Sequence, residues 1–280
     1  HGFYAWGGNQ ASLANSATVT ASLDAPTGDA FTHGLFLWGG DQASLDNRGT
    51  VRSSARAAAG LATAYGLCFQ GKTLTNSGVV EATATNTGSN RATAYGARFF
   101  SFDNTGTFDN RGSIVATATG PGGNGMAIGV QINDAASIVN TGRIVASGDY
   151  QASGLVAEDF GTLDNRGLIE ARSSGSRASG VYAKRGRIVN RSGATISAVS
   201  AGADAVALET DTVDVLNNGT ISGARSTLLH SSLAGTGEFI GDLQLVGCRV
   251  APGDGGIGQL RVDGDLSVTK GLTMEVEIGD

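Results

Sequence analysis

One short motif governs what this chain can fold into: an apolar residue, any residue, Asn, any residue, Gly, any residue and a second apolar residue. It reads LDNRGTV at 45–51, LTNSGVV at 74–80, FDNRGSI at 108–114, IVNTGRI at 138–144, LDNRGLI at 163–169 and VLNNGTI at 215–221. An earlier copy, LANSATV at 13–19, has alanine in the glycine place, and IVNRSGATI at 188–196 carries two extra residues. The anchoring asparagines are Asn15, Asn47, Asn76, Asn110, Asn140, Asn165, Asn190 and Asn217, spaced by 32, 29, 34, 30, 25, 25 and 27 residues. A chain that repeats one unit in this way folds as a stack, because no unit can bury its apolar face alone.

A second anchor precedes each asparagine: HGLFL, YGLCF, YGARF, IGVQI, SGLVA, SGVYA and DAVAL. Each unit then holds three short β-like runs, as in SGLVA (153–157), GTLDN (161–165) and GLIEARS (167–173). No capped apolar stripe of helical period occurs. With 44 glycines and only 3 prolines, the chain is rich in turns but lacks the proline of a disordered linker. The expectation is an all-β fold, a right-handed parallel β-helix of three strands per turn and triangular section. About eight Asn-x-Gly rungs span residues 1–230, and junction rungs of the same solenoid span 231–280. The uneven period speaks against the left-handed hexapeptide type.

Asn and Gly both tolerate positive φ, so the motif is expected to mark a sharp corner. Asparagines stacked rung on rung would also pair their side-chain amides in a ladder. Counting from the second-anchor glycine assigns the faces. One and three places past it, Phe3, Leu35, Leu67, Ala97, Val130, Leu155, Val181 and Val206, and Ala5, Leu37, Phe69, Phe99, Ile132, Ala157, Ala183 and Leu208, point inward by strand alternation. Two and four past it, the columns point outward. In the last rung these are Ala207 and Glu209; in the first two they are Tyr4, Trp6, Phe36 and Trp38. Both tryptophans of the chain thus sit in one exposed aromatic patch, with Phe100 further along the same column, and such patches mark contact surfaces for sugars or proteins. A covering loop, or an N-terminal segment missing from this chain, is the competing explanation.

The remaining chemistry is sparse. Net charge is −6, with 19 Lys and Arg against 25 Asp and Glu, so nucleic acid is not an expected partner. No apolar run is long enough to cross a membrane as a helix. Cys68 and Cys248 fall roughly 30 Å apart at the spacing of stacked strands, out of disulfide reach. Asp41, Asp103, Asp134, Glu158, Asp159, Glu209 and Asp211 recur at one corner, where a solvated edge is favoured over a Ca²⁺ column. His1 and His33 precede the anchor glycines, but their repetition alone does not make a catalytic or metal site. No metal or cofactor is expected. The chain opens without Met or a signal peptide and is expected to be a processed or excised piece.

The stretch VAPGDGGIGQLRVDGDLSV at 250–268, followed by Gly271 and the acidic MEVEI at 274–278, resembles the end of an autotransporter (type V secretion) passenger domain. The likeness is to the pertactin-like, self-associating adhesin type. It implies a surface-displayed or released passenger of a Gram-negative bacterium, located outside the cell. It further implies an autochaperone-like C-terminal segment, a signal peptide upstream and an outer-membrane β-barrel downstream in the full-length chain. Passengers of this kind are adhesins, aggregation factors, proteases or esterases. A serine protease would need an inserted globular domain, and this chain has no room for one among its 3 histidines and short loops. The favoured reading is a non-enzymatic adhesin or self-association factor, meeting glycans, proteins or copies of itself. A spacer stalk carrying an N-terminal head is the alternative, followed by a polysaccharide-degrading β-helix.

Overall fold

A computed structural model describes residues 2–102, 105–202 and 204–275. His1, Asp103 and residues 276–278 of the junction-like motif lie outside them. Among the described residues there are 26 strands and no helix, joined by parallel pairing into one continuous right-handed parallel β-helix. A representative rung has a long strand, Ala62–Gln70, a short one, Thr73–Asn76, and a third, Val79–Asn86. Each pairs in register with its equivalents one rung before and after, so that Leu67 lies between Leu35 and Ala97.

The interior has two lobes. One is filled by large side chains, among them Leu67, Phe69, Leu74, Val80, Phe99 and Ile114, all at most 1% exposed. The other is built mainly of alanine, including Ala55, Ala57, Ala62, Ala64, Ala82, Ala84, Ala92 and Ala94, with the hydrogen-bonded Thr32 and Ser53 in the same columns of the second rung. The first half of each long strand meets the second half of the third strand there, and small side chains fill the space between the two backbones. The long strand bends to serve both lobes. Its alternation breaks at the anchor glycine, where Gly66 and Leu67 are both buried between the outward Tyr65 and Cys68.

The glycines answer to crowding. A Cβ on Gly66 would press on the Gly96 carbonyl oxygen of the next rung and on a methyl of Val80. At Gly78, in the Asn-x-Gly motif, it would be driven into the Gly49 carbonyl. Neither residue has positive φ, nor do Gly49, Gly112, Gly142, Gly167 and Gly219, so the expected left-handed corner at Asn-x-Gly is absent from these copies and survives only at Gly193 of the lengthened one. Left-handed residues occupy a different corner, just after the long strand, at Asp134, Asp159, Arg185, Thr212 and His230. A β-branched side chain is poorly suited to φ of 60° at Thr212. Thr212→Asn, which tolerates that region, is expected to raise unfolding free energy by about 0.5–1 kcal/mol in denaturant titration. No gain would mean that the bond from the Thr212 hydroxyl to Asp211 offsets the strain.

The asparagine ladder forms in full. From Asn15 to Asn217, each side-chain amide nitrogen donates to the carbonyl oxygen of the next asparagine, and all seven links measure 2.7–2.9 Å. Every member is buried.

Three face assignments change. In the eighth rung Leu208, not Val206, pairs with Val181, and Glu209 pairs with Tyr182. DAVAL has no glycine, and Ala207 takes its place, buried instead of outward. The shift by two keeps Leu208 inside, moves Val206 out of the inward set into the outer column of Ser179, where it is nonetheless covered, and moves Glu209 one column over. Phe3 is 46% exposed, because its strand pairs on one side only. Beyond residue 230 the strands Ser232–Gly235, Glu238–Pro252, Arg261–Asp263 and Leu266–Met274 continue the stack. Cys68 and Cys248 are both free.

Candidate functional site

The bend in the long strand lays four columns of side chains across the outer face of its sheet. In the second to fifth rungs they run Phe31–Thr63–Thr93–Met126, His33–Tyr65–Tyr95–Ile128, Phe36–Cys68–Arg98–Gln131 and Trp38–Gln70–Phe100–Asn133. In the later rungs the same columns continue as Gln151–Arg177–Asp204, Ser153–Ser179–Val206, Val156–Tyr182–Glu209 and Glu158–Lys184–Asp211. The face is therefore aromatic at its N-terminal end and polar toward the other.

The structure brings Tyr4, Trp6, Phe36 and Trp38 together as the sequence proposes. Tyr4 stacks on Phe36 with ring centroids 4.4 Å apart and planes 6° apart, and Trp6 stacks on Trp38 at 5.6 Å and 15°. Among the described residues no loop covers them: Trp6 is 71% exposed and Trp38 40%. Phe100 stands apart, separated from Trp38 by the Gln70 rung, under the Arg98 guanidinium at 4.6 Å. Sequence reasoning missed a second stack beside the first. His33 lies on Tyr65 at 4.8 Å, Tyr65 on Tyr95 at 4.9 Å, and Phe31 is exposed on the same strand as His33. The signal was present in the repeated AYG of 64–66 and 94–96. Burial pushes the pKa of His33 down and that of Tyr65 up, so both stay neutral at pH 7.

In the fifth to eighth rungs the same face forms a groove of about 380 Å³ lined by Met126, Ile128, Val156 and Tyr182 with Gln151, Ser153, Ser179, Arg177 and Glu209. Arg177 donates to Glu209, and its charge also faces Asp204. Among the described residues the Ser179 hydroxyl, on a residue 3% exposed, and the Arg177 Nε find no hydrogen-bond partner.

Residues 9–237 match a family model described as the BigA third pectate lyase-like domain. The chain belongs to that family. The match takes in the ladder, the groove and the outer face from the second rung to the eighth; Tyr4 and Trp6 lie before it. No curated protein and no solved structure matches the chain significantly.

In this BigA-family domain the acidic corner is not one column. Asp159 pairs with Arg185, which holds its carboxyl below the usual range, and Glu209 belongs to the groove. Asp134 and Asp159 sit at the left-handed corner, Glu158 and Asp211 flank Lys184 on the outer face, and Asp41 lies in an earlier loop. Among the described residues, no three of His, Cys, Asp and Glu gather closely enough to hold a metal ion. His230 lies 3.4 Å from Asp211, seven rungs from His33, roughly 30 Å at the spacing of stacked strands. Burial pushes the Cys68 thiol up to about 11, against the opposing charge of Arg98, so it is not a ready nucleophile.

Proposed function

We propose that this chain belongs to a surface-displayed or secreted bacterial protein of the autotransporter passenger type. In this reading it acts without turnover, as an adhesin or self-association module, through the aromatic end of its outer face. Membership of a BigA-type β-helix family supports the general class, and the junction-like stretch at 250–268 supports the passenger assignment. The observation that carries the contact role is the exposed double stack of Tyr4–Phe36 and Trp6–Trp38.

The geometry of that stack also favours one kind of partner. The rings lie nearly parallel and follow the rung register, so Phe36 and Trp38 have a face covered and present their edges outward. Tyr4 and Trp6 are covered by a ring on one face only. A sugar docks on an open ring face, whereas a row of edges is an apolar strip that fits another protein surface, including a second copy of this chain. Burying one such ring contributes roughly 1.5–3 kcal/mol. Trp38→Ala is therefore expected to weaken self-association in sedimentation, and aggregation of cells displaying the chain, by tenfold or more. Its own stability should fall by only about 0.5–1.5 kcal/mol, the worth of a stacked pair. Unchanged association in both assays would overturn the contact role and favour a spacer stalk.

A further inference from the structure

We infer that the groove of the fifth to eighth rungs is a binding subsite for a neutral saccharide. It lies apart from the aromatic strip, and the inference does not depend on that strip's role. Three features define the ligand. The first is size: about 380 Å³ is within the range of small-ligand sites, enough for a sugar unit but shallow for a folded partner.

The second is unmet hydrogen bonding. Ser179 is almost wholly buried, yet its hydroxyl bonds to nothing in the described protein, and neither does Arg177 Nε. One rung before the groove's Val156, in the same column, the buried Gln131 Oε1 is likewise without a partner. Buried polar groups of native proteins are satisfied as a rule, so a hydroxyl, an N–H and a carbonyl oxygen left open on one face ask for a ligand that both donates and accepts. Sugar hydroxyls do both. A peptide strand is less suited, because the backbone of this inner sheet is paired with a rung on each side and offers no free edge. Met126, Ile128, Val156 and Tyr182 supply the apolar wall that the C–H face of a sugar ring covers.

The third is charge. The groove's one arginine is already neutralised by Glu209 and faces Asp204, whose other oxygen is paired with Arg225 at 2.6 Å. Glu158 and Asp211 stand on either side of Lys184 in the next column. A uronate or sulfated glycan would meet these carboxylates, and the nearby cation, Lys184, lies over the Tyr182 ring between two of them. The site therefore selects against the acidic sugars and for neutral ones.

The test is calorimetric titration of the full chain with neutral pentasaccharides of glucose, mannose and galactose, and with oligogalacturonate of equal length. A neutral probe should bind and oligogalacturonate should not. Ser179→Ala and Glu209→Gln should each weaken the neutral probe about tenfold, as expected for losing a hydrogen bond at a charged, part-buried site. Glu209→Gln should also admit oligogalacturonate, because it frees the charge of Arg177. Melting temperatures report whether each variant is folded; if Glu209→Gln is not, Ser179→Ala, which removes a single oxygen, decides. Trp38→Ala should leave saccharide binding unchanged, which separates this site from the aromatic strip. The inference is overturned if no neutral probe binds, if oligogalacturonate binds the unaltered chain as well as the neutral probes do, or if Trp38→Ala abolishes binding that Ser179→Ala leaves intact.

Discussion

Replacing Asn110 with alanine is expected to lower the unfolding free energy by about 2–5 kcal/mol. Asn110 stands in the middle of the ladder, wholly buried, accepting from Asn76 at 2.8 Å and donating to Asn140 at 2.8 Å. Its amide also reaches the backbone carbonyls of Gly112 and Arg143. Removing it leaves an N–H of Asn76 and a carbonyl oxygen of Asn140 without a partner away from water, at about 1–3 kcal/mol for each. Asn110→Asp should be no milder at pH 7. A carboxylate accepts from Asn76 but cannot donate, so it would face the oxygens of Asn140, Gly112 and Arg143 as a buried anion. Burial and those oxygens raise its folded-state pKa, so the penalty is full above that raised value. It shrinks as pH falls toward the ordinary carboxylate pKa near 4, where the protonated acid can donate. The control is Asn15→Ala at the ladder's end, where only one link, to Asn47, is lost and the residue is 8% exposed against 0% at Asn110. Denaturant titration of the variants measures the difference. Equal losses at positions 15 and 110 would show that the ladder does not act as a chain of buried bonds.

How far the sequence could be read depended on which chemistry recurs at a fixed place. The asparagines were legible because one residue type with one pairing capacity returns in the same apolar setting, whatever the length of the intervening loop. Inward and outward positions were legible from Leu67 to Gln70, where strand alternation holds. They were not legible on the other side of Gly66, since the bend there resets the alternation, and Tyr65 and Tyr95 were therefore not recognised as a stack. The alanine lobe was hidden for another reason. Alanine is compatible with either face, so its period carries no sign, and only the two opposed backbones reveal why small side chains recur at Ala64 and Ala94. The eighth rung was misaligned by two because Ala207 replaces the glycine that fixed the others, which also concealed the pairing of Arg177 with Glu209. The groove itself takes one to three residues from each of four rungs, and no local pattern announces such a site.

Phe99→Ala should be the most damaging change of a single core side chain, costing about 3–5 kcal/mol. The column that holds it runs Leu37, Phe69, Phe99, Ile132, Ala157 and Ala183, so the core is widest in the third and fourth rungs. Glycines at the neighbouring corner make that width possible. A Cβ on Gly71 would strike the ring of Phe69 at 2.5 Å, and one on Gly106 the ring of Phe99 at 2.8 Å. Where the column narrows to alanine, Phe160 enters from the corner instead, buried and packed against Gly186. Ring volume is thus conserved between rungs although its source changes. Phe99 lies between two other rings, 5.6 Å from Phe69 and 6.5 Å from Phe108, and no nearby side chain is long enough to collapse into the space it would leave. Its neighbour Phe100, of the same type and one residue on, points outward beneath Arg98. Phe100→Ala should therefore cost no more than about 0.5–1 kcal/mol, the value of an exposed cation–π contact. The comparison holds residue type and local backbone constant and varies only the face. A loss at Phe100 as large as that at Phe99 would mean that the outer aromatic columns, and not the inner lobe, carry the stability of these rungs.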